Sequence, residues 1–152
     1  MILPQENDNE HLLLGLLLLL SNRLQTTGDN FIGEITTKQW LIILVLRILS
    51  DREPTLNELA EAAGSSHQNV KQIILKLEKK GFVELRRDEN DARKYRIRMT
   101  PYCEEFSRSF SDRGTKFIKQ FLAHLEPEDL ETTVRTLIKI KSNLEKMEGD
   151  YV

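Results

Sequence analysis

Gln68, Asn69 and Gln72 fall within one short stretch, beside His67 and Lys71. An amide side chain carries a donor next to an acceptor, the pattern that pairs with an adenine edge, and His or Lys can donate to guanine or to a phosphate. Thr55, Ser65 and Ser66 stand where helices are expected to begin, positions at which hydroxyls and backbone N–H groups hold phosphates. Further on, Arg93 is long and permanently charged, which suits insertion into a narrow, electronegative minor groove. Asp91, two residues earlier, is placed to brace its guanidinium by a bidentate pair. A solvated ion pair of little worth is the competing reading for Asp91 alone. Lys76 and Lys94 complete the set as phosphate-neutralising charges. These residue types point to reading double-stranded DNA.

Catalysis finds no comparable constellation. There is no glycine-rich phosphate loop, no nucleophile elbow and no HExxH pair. His11, His67 and His124 fall on three different expected helices without ligand-like spacing, and a single cysteine, Cys103, excludes a disulfide within the chain and a multi-cysteine zinc site. The expectation is a non-enzyme without cofactor or metal, in a reducing cytoplasm. Inert packing is the favoured reading of Cys103.

The chain has 152 residues, 39% hydrophobic and 30% charged, which suits one soluble domain with or without dimerisation arms. The longest apolar run, Leu12 to Leu20, is about half of what a bilayer span needs. No basic residue precedes it, unlike a secretory signal. The net charge of −2 argues at first against a nucleic-acid ligand, but it is unevenly placed. Residues 64–98 carry ten Lys and Arg against five acids, a local +5 that leaves −7 for the remainder. A cationic island on an anionic body steers a polyanion to one region.

The elements that would position these groups follow from periodicity. Asn7 to about Leu24 reads as a helix, with Asn7 and Glu10 spaced as a cap. Its leucines cover every face, so it must be buried, which in a chain of this size implies packing against a second subunit. Gly28 and Gly33 are expected to bracket a loop. Thr36 with Gln39 forms a capping box before a core helix from Trp40 to Leu49, which Asp51 to Pro54 breaks. Thr55 with Glu58 is a second box, opening a short helix over Leu56 to Ala63 that Gly64 ends. Ser65 or Ser66 then caps a helix over Ser66–Lys80, whose Val70, Ile73, Ile74 and Leu77 make one apolar stripe. On its other side Leu75 has two readings, helix packing or contact with a thymine methyl, and packing is favoured. Phe82–Arg87 and Arg93–Met99 alternate as two strands of a hairpin. Pro101 opens a long amphipathic helix with a break expected at Gly114, and Pro127 opens the last helix.

The run ITTKQWLIILVL followed by PTLNELAEAAGSSHQNVKQIILKLEKKGFVELRRDENDARKYRIRMT resembles the MarR family of winged helix-turn-helix transcription regulators. The carrying pieces are Leu59-Ala60 before Gly64, Val70, Leu77-Glu78, Gly81-Phe82-Val83, and Asp88, Asp91 and Arg93 leading to Met99-Thr100. The resemblance implies a mainly α fold with a two-stranded wing. Residues 35–100 would be the DNA-binding domain, and residues 1–34 with 101–152 a helical dimerisation region. It also implies a homodimeric repressor on a pseudo-palindromic operator. Residues 65–72 would read bases, and Arg93 would enter the minor groove. Release by a small aromatic effector is a further implication, with His11, Trp40, Tyr102 and Phe106 as candidate pocket residues against a competing reading as core or interface. A protein–protein adaptor, or a ligand-binding protein without DNA affinity, is the alternative.

Overall fold

Thr36 and Thr55 each open a helix as their spacing predicts, and both boxes close fully in the computed structural model. The Thr36 side chain accepts from the Gln39 backbone N–H and the Gln39 side chain accepts from that of Thr36; Thr55 and Glu58 repeat the arrangement. The structure describes residues 8–89, 91 and 93–150. In order these give α1 (Asn9–Ile32), α2 (Thr37–Ile48), a 3-10 turn over residues 50–52, α3 (Leu56–Ala62), α4 (His67–Lys79), β1 (Val83–Arg87), β2 (Tyr95–Met99), α5 (Pro101–Phe121) and α6 (Pro127–Asp150). The fold is mainly helical with one two-stranded antiparallel wing.

The chain divides into two compact units, Met1–Ser107 and Arg108–Val152. In the first, α2, α3, α4 and the wing enclose a core in which Ile43, Leu46, Leu59, Val70, Ile74 and Leu77 are at most 1% exposed. Val70, Ile74 and Leu77 are the inward part of the stripe read from the sequence, so the outer face of α4 is left to polar residues. In the wing, Val83 pairs with Met99, Leu85 with Ile97 and Arg87 with Tyr95. The buried Ile97 and Val83 root the hairpin in that core.

Two glycines behave differently from the sequence expectation. The first helix does not stop near Leu24 but runs to Ile32, and Gly28 lies inside it. The reason is close approach: a Cβ on Gly28 would stand 2.4 Å from Oγ1 of Thr37, the first residue of α2. The joint is fastened by Asp29, whose carboxylate accepts from the Thr37 backbone N–H at 2.6 Å, and by Thr37 Oγ1, which donates to the Gln25 carbonyl at 3.2 Å. Only Gly33, at φ +77°, makes the turn. Gly114 does not interrupt α5, which is continuous. At the other end of α1 the expected cap Asn7 lies outside the described residues, and Asp8 accepts from the His11 backbone N–H.

Leu13, Leu14, Leu18 and Leu20 of α1 are 43–62% exposed, so burial of this helix is not achieved within its own unit. In the second unit α6 exposes Leu130, Val134, Leu137, Ile138, Leu144 and Met147. No helix among the described residues is long and apolar enough to cross a membrane.

Candidate nucleic-acid interface

Gly64, at φ +58°, lets Ser65 donate its backbone N–H back to the Ala60 carbonyl at 3.0 Å, ending α3 and turning the chain directly into α4. Ser66 caps α4 by accepting the Asn69 backbone N–H at 3.2 Å, and the Asn69 amide nitrogen donates to Ser65 Oγ at 2.9 Å. Ser65, Ser66 and Asn69 therefore build the turn that presents the helix. Thr55 is held similarly, its hydroxyl donating to the Glu58 carboxylate at 2.9 Å.

His67, Gln68, Lys71, Gln72 and Lys76 are all exposed on α4. They form two stripes, because residues four apart share a helix face. His67, Lys71 and Leu75 line a cleft of about 850 Å³ between α3, α4 and the wing, together with Leu56, Leu85, Tyr95, Arg93 and Lys94. Gln68, Gln72 and Lys76 occupy the adjoining stripe. Leu75, expected to pack on a neighbouring helix, is 41% exposed in a cleft that it shares with the wing.

The hairpin tip carries Arg93 with its side chain 92% exposed. Asp91 Oδ1 accepts from both the Arg93 backbone N–H, at 3.1 Å, and Nε, at 3.2 Å. This is a brace, but not the bidentate fork expected from sequence: one oxygen takes both bonds and the terminal guanidinium nitrogens lie outside the pair. Asp91 Oδ2 stands 3.7 Å from Lys94 Nζ. The Arg93 N–H holds the Asp91 carboxyl below the ordinary carboxylate range. Glu58 is lowered as well, chiefly by the Thr55 backbone N–H.

Sequence reasoning passed over Arg96. Its Nε donates to Asp88 Oδ2 at 2.5 Å, and its Nη1 donates to the Glu53 carbonyl at 3.2 Å and lies 3.5 Å from Glu58 Oε2. A signal was available in the register, since Arg96 opposes Arg86 and like charges facing across strands must find acidic partners. Arg86 has Glu84.

Trp40, Tyr102 and Phe106 are brought together around Phe82, which is fully buried and which the sequence did not suggest as their centre. Phe82 meets Tyr102 and Phe106 edge-on at 5.0 and 5.1 Å, and Trp40 meets Phe106 at 6.3 Å. His11 is paired instead with Asp8 on the first turn of α1. Cys103 is fully buried, and burial pushes its thiol up, which keeps the reactive thiolate scarce. Among the described residues no cluster of His, Cys, Asp and Glu could hold a metal ion.

Residues 35–94 match the model of the MarR family. The transcriptional repressor MprA of Escherichia coli K12 is 28% identical over 134 residues, which cover 88% of this chain and 74% of MprA. Among solved structures, a MarR/EmrR family transcriptional regulator from Acinetobacter sp. ADP1 superposes with a TM-score of 0.78 at 23% identity, covering 92% of this chain and 99% of that one. The MepR–DNA complex of S. aureus gives 0.77 at 21%, covering 85% and 95%. The structural likenesses establish a shared winged-helix fold.

Proposed function

We propose, from the match of residues 35–94 to the MarR family model, a sequence-specific DNA-binding transcription regulator that works as a homodimeric repressor of a pseudo-palindromic operator. Residues 35–100 grip DNA; residues 1–34 and 101–152 pair the protomers. The observation that carries this reading is the combination of an exposed amide-rich stripe on α4 with a braced, 92%-exposed Arg93 on the adjoining wing. Gln68 and Gln72 read base edges in the major groove, with Asn69 beside them. His67, Lys71, Lys76 and Lys94 meet phosphates, as do the helix starts at Thr55, Ser65 and Ser66. Arg93, held by Asp91, senses minor-groove width. Two copies of α4 lie on the order of 10 bp apart between half-site centres.

Pairing is supported by the leucines of α1 and the apolar face of α6, each of which a second copy would cover. The repressor assignment is supported by MprA, described as a transcriptional repressor. Release by a small aromatic molecule belongs to the same proposal. Trp40, Tyr102 and Phe106 are the residues to probe, and His11 stands outside their cluster.

Selection of bound sequences from random duplexes tests the reading, with an enriched palindrome as the expected result. On the selected site Arg93→Ala should weaken binding strongly in a gel-shift titration at fixed salt while the dimer persists. Unchanged affinity would remove the wing from the mechanism. Affinity should also fall steeply with salt; a flat response would favour a protein–protein adaptor.

A further inference from the structure

A two-stranded hairpin is marginal on its own, so the direction in which this wing aims Arg93 must be fixed by contacts with the helical body. At the root, the Ile97 backbone N–H donates to the Pro54 carbonyl at 2.9 Å and Arg96 bridges to Thr55. Towards the tip, among the described residues, side chains take over these contacts with the body. Arg96, 32% exposed at its side chain, reaches the Glu53 carbonyl and the Glu58 carboxylate on the body and Asp88 in the hairpin loop. Asp88 is only 7% exposed at its side chain, and its second oxygen accepts the Asp91 backbone N–H at 2.9 Å. Its own N–H donates to the Lys94 carbonyl at 3.0 Å, and the Lys94 N–H donates to the Asp91 carbonyl at 2.8 Å. Asp91 then takes Arg93. A series of one ion pair and successive hydrogen bonds thus runs from Glu58 through Arg96, Asp88 and Asp91 to the proposed minor-groove arginine.

We propose that Arg96 is the positioning residue of the wing, fixing the aim of Arg93 by clamping the hairpin loop to the N-terminus of α3. The inference rests on the proposed minor-groove role of Arg93. A planar fork with donors in fixed directions is what the task requires, because three acceptors on three segments are held at once. A lysine keeps the charge but not this geometry. Arg96→Lys therefore separates positioning from a simple phosphate contact.

The experiment compares two duplexes of about 20 bp, one made of A-tracts with a narrow minor groove and one of alternating dG-dC, by fluorescence anisotropy at fixed salt. The wild type prefers the A-tract duplex, and Arg93→Ala abolishes the preference. Arg96→Lys and Asp88→Asn reduce it by at least about threefold while leaving affinity for the dG-dC duplex nearly unchanged. In the Arg93→Ala background, Arg96→Lys has no further effect. If Arg93→Ala leaves the preference intact, the minor-groove reading itself fails. If Arg93→Ala abolishes it but Arg96→Lys and Asp88→Asn do not reduce it, the reading stands and the positioning role is overturned. Amide exchange in the DNA-free protein provides a check that needs no ligand. Exchange at Asp91 and Lys94 should quicken in Arg96→Lys, and unchanged rates there would also overturn the proposal.

Discussion

Gln68 and Asn69 are neighbours of similar chemistry with different duties in the DNA-free protein. Asn69 donates to Ser65 and so belongs to the turn, whereas Gln68 lies exposed on the outer stripe of α4. On the proposed base-reading role, Gln68→Ala should cost about 1–3 kcal/mol at one base pair and much less at substituted positions elsewhere, measured by competition between single-base operator variants. Residue types and helix periodicity were enough to mark this stripe in the sequence. The duty of Asn69 was not legible, because a side chain three residues after a cap serves either the turn or a ligand, and only coordinates distinguish the two. Arg96 was hidden by its strand: alternation marks it as an outward basic residue, and only the pairing with Arg86 calls for the acids that hold it. Glu58 connects this residue chemistry to pH. Its carboxyl is held below its ordinary value when folded, so on acidification the unfolded chain takes up the proton first. Its contribution to stability is complete above the ordinary glutamate range and is lost as the pH falls through and below it, from about pH 4 downward. Thermal melts of Glu58→Gln across that interval should fall less steeply than those of the wild type.

At the scale of elements, the two capping boxes, the Gly64 turn, the α4 stripe and the two strands of the wing were all present in the sequence, because each rests on contacts within a few residues or on a strict period. The end of α1 was not. Glycine in a helix resembles a stop signal unless a neighbouring chain presses against it, and here Thr37 does so from nine residues away. Gly28→Ala places a methyl group against Thr37 and should destabilise the protein by about 1–3 kcal/mol. Denaturant unfolding would register this as a lower midpoint at unchanged slope. The contrast with Gly15 is informative: nothing stands within 4 Å of a Cβ there, so alanine should be tolerated.

At the scale of the molecule, charge and hydrophobicity sort into different places. The +5 of residues 64–98 covers α4 and the wing, while apolar side chains remain uncovered on α1 and on α6. Exposed leucines and isoleucines on this scale are costly in water, each worth about 1.5–3 kcal/mol when fully buried. Ile138, 61% exposed on α6, is a direct probe of where they go. On the proposed pairing, Ile138→Glu should shift the protein from dimer towards monomer in sedimentation equilibrium at micromolar concentration and weaken operator binding with it. A variant that stays monodisperse at the wild-type mass would exclude α6 from the pairing surface. The sequence marked the leucines of α1 as needing burial, but apolar surface in one chain does not name its partner.

The grip that Gln25, Gly28 and Asp29 keep on Thr37 has a geometric consequence. Twenty-four residues at 1.5 Å each make α1 a rod of about 36 Å, anchored near one end to the first residue of α2. A tilt of about five degrees at that anchor would sweep the far tip through roughly 3 Å, so any angular strain at the joint would be read out as displacement at the distant end.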